Sequence, residues 1–170
     1  MQVLTTEALR TAVENALVAF LAYLGGYYFT AIFYAPSAAL GGLWALISGI
    51  VVLQATRRET WTSAWLRVIG TCIGAAISAI YLLLLPYSPV GMALTIGVTV
   101  LLCQFIGIPD HARLAALTVA VIMVISGLHP EYNPLFNALL RFMESAIGTV
   151  LAVLVALLWP EPARRKSHGM

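Results

Sequence analysis

Apolar residues run along this chain almost without interruption, and prolines and short charged clusters supply the breaks. A bilayer core about 30 Å thick takes about 20 apolar residues as helix. Punctuating the sequence at its breaks predicts six such segments, at roughly 12–34, 37–55, 62–85, 91–108, 112–129 and 136–159. The runs are continuous, whereas membrane strands alternate apolar and polar positions, so strands are a poor reading. The expected fold is an all-α integral membrane protein with six transmembrane helices.

The segments between these runs sort by charge. "ATRRET", "IPDHAR" and the tail "PARRKSH" carry the Lys and Arg residues, and Arg10 precedes the first run on the same side. "YAPSAA", "PYSPVG" and "HPEYNP" carry none. The positive-inside rule then predicts that both termini are cytoplasmic. Trp61, Trp65 and Trp159 fall near the inner interface and Tyr34, Tyr87 and Tyr132 near the outer one, as an aromatic belt would place them. Residues 1–160 read as a single membrane module and residues 161–170 as a basic cytoplasmic tail, with no soluble domain at either end.

Composition supports a membrane setting. Of 170 residues, 61% are hydrophobic and 9% charged, with a mean hydropathy of +0.94. A soluble domain carries about 25% charged residues. The net charge of +2 gives no footprint for nucleic acid. Cys72 and Cys103 stand alone in apolar runs and read as small buried hydrophobes, with no metal or disulfide spacing. No cofactor motif or metal set is expected.

Two stretches share a pattern. "RVIGTCIG", Arg67 to Gly74, aligns with "RFMESAIG", Arg141 to Gly148, at an offset of 74 that continues without a gap to Pro86 and Pro160. Arg67 matches Arg141, Thr71 matches Ser145, and Gly74 matches Gly148. An odd number of crossings per unit makes the second copy run in the opposite direction. The expectation is a pair of inverted three-helix repeats, at about 10–86 and 87–160, an architecture that transporters use with the substrate site between the repeats. Gly70, Gly74 and Gly148 read as helix-contact positions, where small residues let backbones approach.

The charges are harder to assign to helix contacts, because an ionised side chain inside a bilayer costs about 2.5–3.5 kcal/mol on insertion scales. Arg67 is expected about one turn inside the inner end, with its stem snorkelling to the interface. Arg141 lies near the outer end, and Glu144, three residues on, can pair with it on one helix face. That pair is either a structural ion pair or a substrate and proton site. Candidate path residues are Arg67, Thr71, Arg141, Glu144 and Ser145. Tyr27 joins them from an aromatic face on the first helix with Tyr23 and Tyr28, for which simple contact between helices is the competing reading.

The "RxxGTxxG" of Arg67, Gly70, Thr71 and Gly74, the preceding "LWALISGIVVLQATRRETWTSAWLR" and the closing "RFMESAIGTVLAVLVALLWP" resemble the fusaric acid resistance and aromatic acid exporter family. The resemblance covers nearly the whole chain. It implies efflux of aromatic carboxylates or related organic acids across a bacterial inner membrane, and plant malate channels are distantly similar. Many members carry a cytosolic domain or two membrane modules, so a single module implies a homo-oligomer. No GxxxxGK[ST] appears, so an ion gradient or a separate ATPase would supply the energy. The leading expectation is a proton-coupled exporter of small organic anions. A passive anion channel and a non-transporting subunit of a larger assembly remain open beside it. No catalytic constellation points to an enzyme.

Overall fold

The structure, a computed structural model, describes residues 6–159. The basic tail expected at 161–170 lies outside them. Among the described residues the regular structure is helical throughout: α1 (Thr6–Tyr34), a 3₁₀ turn (Ala35–Ser37), α2 (Ala38–Val52), α3 (Arg57–Leu84), α4 (Pro89–Phe105), α5 (Pro109–Leu128) and α6 (Pro134–Leu158). Four stretches are long and apolar enough to cross a membrane: α1 with α2, then α3, α5 and α6. At 17 residues, α4 is a shorter apolar helix.

Local chemistry sets the boundaries. Pro89, Pro109 and Pro134 each open a helix at its first position, where a missing N–H costs nothing. Ser88 accepts from the Gly91 N–H at 3.0 Å. Asn133 accepts from the N–H groups of Leu135 and Phe136. α3 begins earlier than the sequence expectation of about 62, because the Thr56 side chain caps the Glu59 N–H at 3.2 Å and carries Arg57 and Arg58 into the first turn. α2 is shorter than expected: it ends at Val52, where Leu53 turns extended and the Thr60 hydroxyl takes up the Gln54 N–H at 3.0 Å.

α3 and α6 form the centre. They run antiparallel, with Ala75 and Ala79 beside Ala138 and Ala64 in the same cluster as Ala152 and Val155. α5 flanks α3 and α2 flanks α6, with α4 outside α5 and α1 packed on both α2 and α6. Small residues govern each contact. A Cβ on Gly74 would collide with the Ala115 carbonyl of α5, and one on Gly148 with the Ala45 carbonyl of α2. Gly26 meets Gly41 and Ala45, while Ala22 and Val18 meet Gly49, so α1 and α2 form an antiparallel hairpin. Gly70, read as a contact position, lies against Leu114 and Ala115. Hydroxyls that lack a cross-helix partner fold back onto their own helix: Ser78 to Gly74 O, Thr95 to Gly91 O, Thr99 to Thr95 O and Thr118 to Leu114 O.

The cysteine expectation needs correcting at one site. Cys103 is buried, but Cys72 is exposed on the outer face of α3, one position past the inward-facing Thr71.

Gly148→Val should disrupt the α2–α6 contact, since overpacking costs roughly 1–3 kcal/mol. Gly97→Val should be nearly silent, because nothing lies within 4 Å of a Cβ there. Thermal unfolding in detergent checks the pair, and equal midpoints would contradict the contact geometry.

Candidate functional site

The polar core lies where α2, α3 and α6 meet. Ser48 comes from α2, Arg67 and Thr71 from α3, and Ser145 from α6, all buried. Arg67 Nε donates to Ser145 Oγ at 3.1 Å and Ser48 Oγ at 3.3 Å, and Nη2 donates to Ser48 Oγ at 2.8 Å. Thr71 Oγ1 and Ser145 Oγ are 3.2 Å apart. The guanidinium carbon sits 4.7 Å from the centroid of the Trp44 ring, a cation–π distance. No carboxylate pairs with Arg67 among the described residues, and its Nη1 has no hydrogen-bond partner.

Arg67 therefore does not snorkel. It lies ten positions after the first residue of α3, about 15 Å along the helix at 1.5 Å per residue, and is 0% exposed. Three hydroxyl contacts and an indole face turn it inward.

The second arginine is paired. Arg141 Nη1 lies 3.0 Å from Glu144 Oε2, with both side chains 0% exposed. Arg141 Nη2 donates to Ser37 Oγ at 3.3 Å. Glu144 Oε1 accepts from Thr30 Oγ1 at 2.6 Å. Gly41 makes room for this carboxylate, since a Cβ there would come within 2.7 Å of Oε1. The Trp44 indole links the two arginines: its face meets Arg67, and its Nε1 donates to the Arg141 carbonyl at 2.9 Å.

Five of the six candidates thus fall in one continuous cluster. Tyr27 is the exception: its ring contacts are Tyr23 and Tyr28, and it is half-buried. The sequence reading missed Thr30, Ser37, Trp44 and Ser48. Thr30 was findable, because Val18, Ala22, Gly26 and Thr30 recur every four residues and form the buried face of α1.

Beyond the ends of the helices, Tyr132 touches the same network. Burial pushes its phenol up; a hydrogen bond with Tyr34 adds to this, and one with Ser37 opposes it. Its ring stacks on His129 at 4.9 Å, and His129 pairs with Glu131 at 3.1 Å.

The profile of the fusaric acid resistance protein-like family matches residues 17–155, which contain the whole cluster. The chain belongs to that family. Membership and the apolar helices place this family member in a membrane. It is similar to UPF0421 proteins of staphylococci. One from Staphylococcus saprophyticus is 28% identical over 117 residues, 68% of this chain and 34% of that protein. One from Staphylococcus epidermidis is 28% identical over 114 residues, 66% of this chain and 34% of that protein. One from Staphylococcus aureus strain USA300 is 27% identical over 114 residues, with the same coverage. The chain spans about a third of the length of these curated relatives. No solved structure matches it.

Arg141→Gln should cost roughly 3–5 kcal/mol, since it strands a buried carboxylate. Arg141→Gln combined with Glu144→Gln should cost less than the sum of the single changes, with a coupling of about 0.5–3 kcal/mol. Unfolding of the four variants in detergent measures the cycle, and additivity would show that the pair carries no coupling.

Proposed function

We propose that this family member carries small organic anions, aromatic carboxylates among them, out of the cytoplasm across a bacterial inner membrane in a proton-coupled cycle. The observation that supports this most is Arg67. A cation removed from water, with hydroxyls and a ring as its only partners among the described residues, has lost several kcal/mol of hydration that no carboxylate among them repays. An anion entering the cluster would offset that cost, and ionisable groups at such depth are functional candidates by default. Thr71 and Ser145 would orient the anion. Tyr27 would line the path only at its edge.

Glu144 is the proton carrier in this reading. It is the one buried carboxylate among the described residues, and it competes with any substrate anion for Arg141.

The wider reading has six spanning helices as two inverted repeats, both termini cytoplasmic, in a homo-oligomer. The equivalent glycine contacts support it: Gly74 on Ala115 in one half and Gly148 on Ala45 in the other. So does the matched order of helices, α5 beside α3 and α2 beside α6. The inversion breaks at one position. Gly70 in the first half sits against the backbone of α5, and its counterpart Glu144 in the second is a carboxylate.

Proteoliposome uptake of benzoate under an imposed pH gradient tests this. Glu144→Gln should abolish the dependence on the gradient. Arg67→Lys keeps the charge but loses the planar fork, and should slow uptake roughly tenfold, or about 1.4 kcal/mol. Unchanged pH dependence in Glu144→Gln would remove Glu144 as the proton carrier. Current reversing at the anion's equilibrium potential, without proton coupling, would indicate a passive channel. No flux from the purified chain would indicate a non-transporting subunit.

A further inference from the structure

Both α2 and α5 border the central pair, yet no Cα of one comes within 8 Å of a Cα of the other. Between them lies a groove of about 340 Å³, a volume in the range of small-molecule sites. Leu43 and Ile47 from α2 and Val121 and Val124 from α5 form aliphatic walls, and Trp44 and Arg141 lie at the floor. Leu43 and Val124 are exposed, so the groove opens sideways rather than through a polar mouth. Arg141 is its only charged lining residue among the described residues.

Two of the three guanidinium nitrogens of Arg141 are engaged, Nη1 by Glu144 and Nη2 by Ser37. Nε is buried with no hydrogen-bond partner, and Nη1, though ion-paired, makes no hydrogen bond either. Beneath the floor of this aliphatic slot, a buried guanidinium with unmet N–H groups offers a partner for a small anionic head on an apolar body. The walls beside α6 are otherwise silent chemically, so the recognition is one charge-assisted hydrogen bond plus apolar contact.

We propose that this groove binds a membrane-partitioned monocarboxylate of the fatty-acid class. Its carboxylate accepts from Nε of Arg141, and its alkyl chain lies between α2 and α5, entering from the lipid. A phosphodiester lipid fits less well, because Arg141 stands seven positions into α6, about 10 Å along the helix, and a bulky head would have to follow it there. Arg141 has no open surface in this conformation, so the head reaches Nε by parting the side chains of the floor. The inference rests on the reading of Arg141 as an anion-attracting group, and it adds a second, lateral entrance to that group.

The test uses the reconstituted chain in nanodiscs with a diazirine-bearing palmitate as photoprobe, and mass spectrometry to locate the label. Label should concentrate on α2 and α5. Palmitate at roughly tenfold excess over the probe should suppress it about tenfold, as equal affinities require, and hexadecanol, which lacks the carboxylate, should not. Val124→Trp fills the groove without touching the ion pair and should remove the label. Ile47→Trp does the same from the opposite wall should the first variant fail to fold. Label spread evenly over all helices, equal competition by hexadecanol, or equal competition by phosphatidylglycerol would overturn the proposal. Benzoate flux with no specific palmitate label would overturn the groove and leave the transport reading standing. Specific label without benzoate flux would overturn the transport reading and leave the groove.

Discussion

A guanidinium held away from water is the constraint around which this bundle is arranged. Arg67 needs partners for its donors in an apolar interior, and the groups that Nε and Nη2 find are short. Serine hydroxyls reach only about 3 Å, so α2 and α6 must both come close to α3 at the same level. The glycines make that approach possible. With Gly148 against the Ala45 carbonyl, α2 and α6 are near enough for Ser48 and Ser145 to stand 3.1 Å apart and share the arginine. Polar residues and small residues are two parts of one solution, and neither explains the sequence pattern alone.

The same logic accounts for the difference between the matched positions Gly70 and Glu144. Gly70 faces a neighbouring backbone with no space for a side chain. Glu144 faces the α1–α2 hairpin, where Gly41 leaves room and Thr30 supplies a donor. One arginine is consequently neutralised and the other is not. The bundle holds an internal ion pair and, joined to it through Trp44, an uncompensated positive charge. An anion path needs both attraction and release, and a charge balanced only by hydroxyls offers attraction without a competing carboxylate.

Much of this was legible in the sequence. The prolines at 89, 109 and 134 marked breaks between segments, and each opens its helix two or three residues before the expected start, because a missing N–H is harmless there. The three-residue spacing of Arg141 and Glu144 identified their pairing, because neighbours on one helix face are fixed by local geometry. The direction of Arg67 was not legible. Snorkelling and turning inward suit the same stem, and the choice was made by Ser48 and Trp44 on another helix. Thr30 lies 114 positions from Glu144, so helical periodicity could put it on a buried face but not name its partner. For Tyr27, aromatic spacing marked a half-buried face of α1, whereas the fully buried face carries Gly26 and Thr30.

The central claim is that the Ser48–Arg67–Ser145 cluster is an intermittently open path and not a sealed structural core. Single cysteines at positions 48 and 145, in a chain with Cys72 and Cys103 replaced by serine, can be probed with a membrane-impermeant thiol reagent from each side of the membrane. The account expects labelling at both positions that changes side or rate when benzoate is added. Cysteines that stay unreactive from both sides, with and without benzoate, in a folded protein would contradict it.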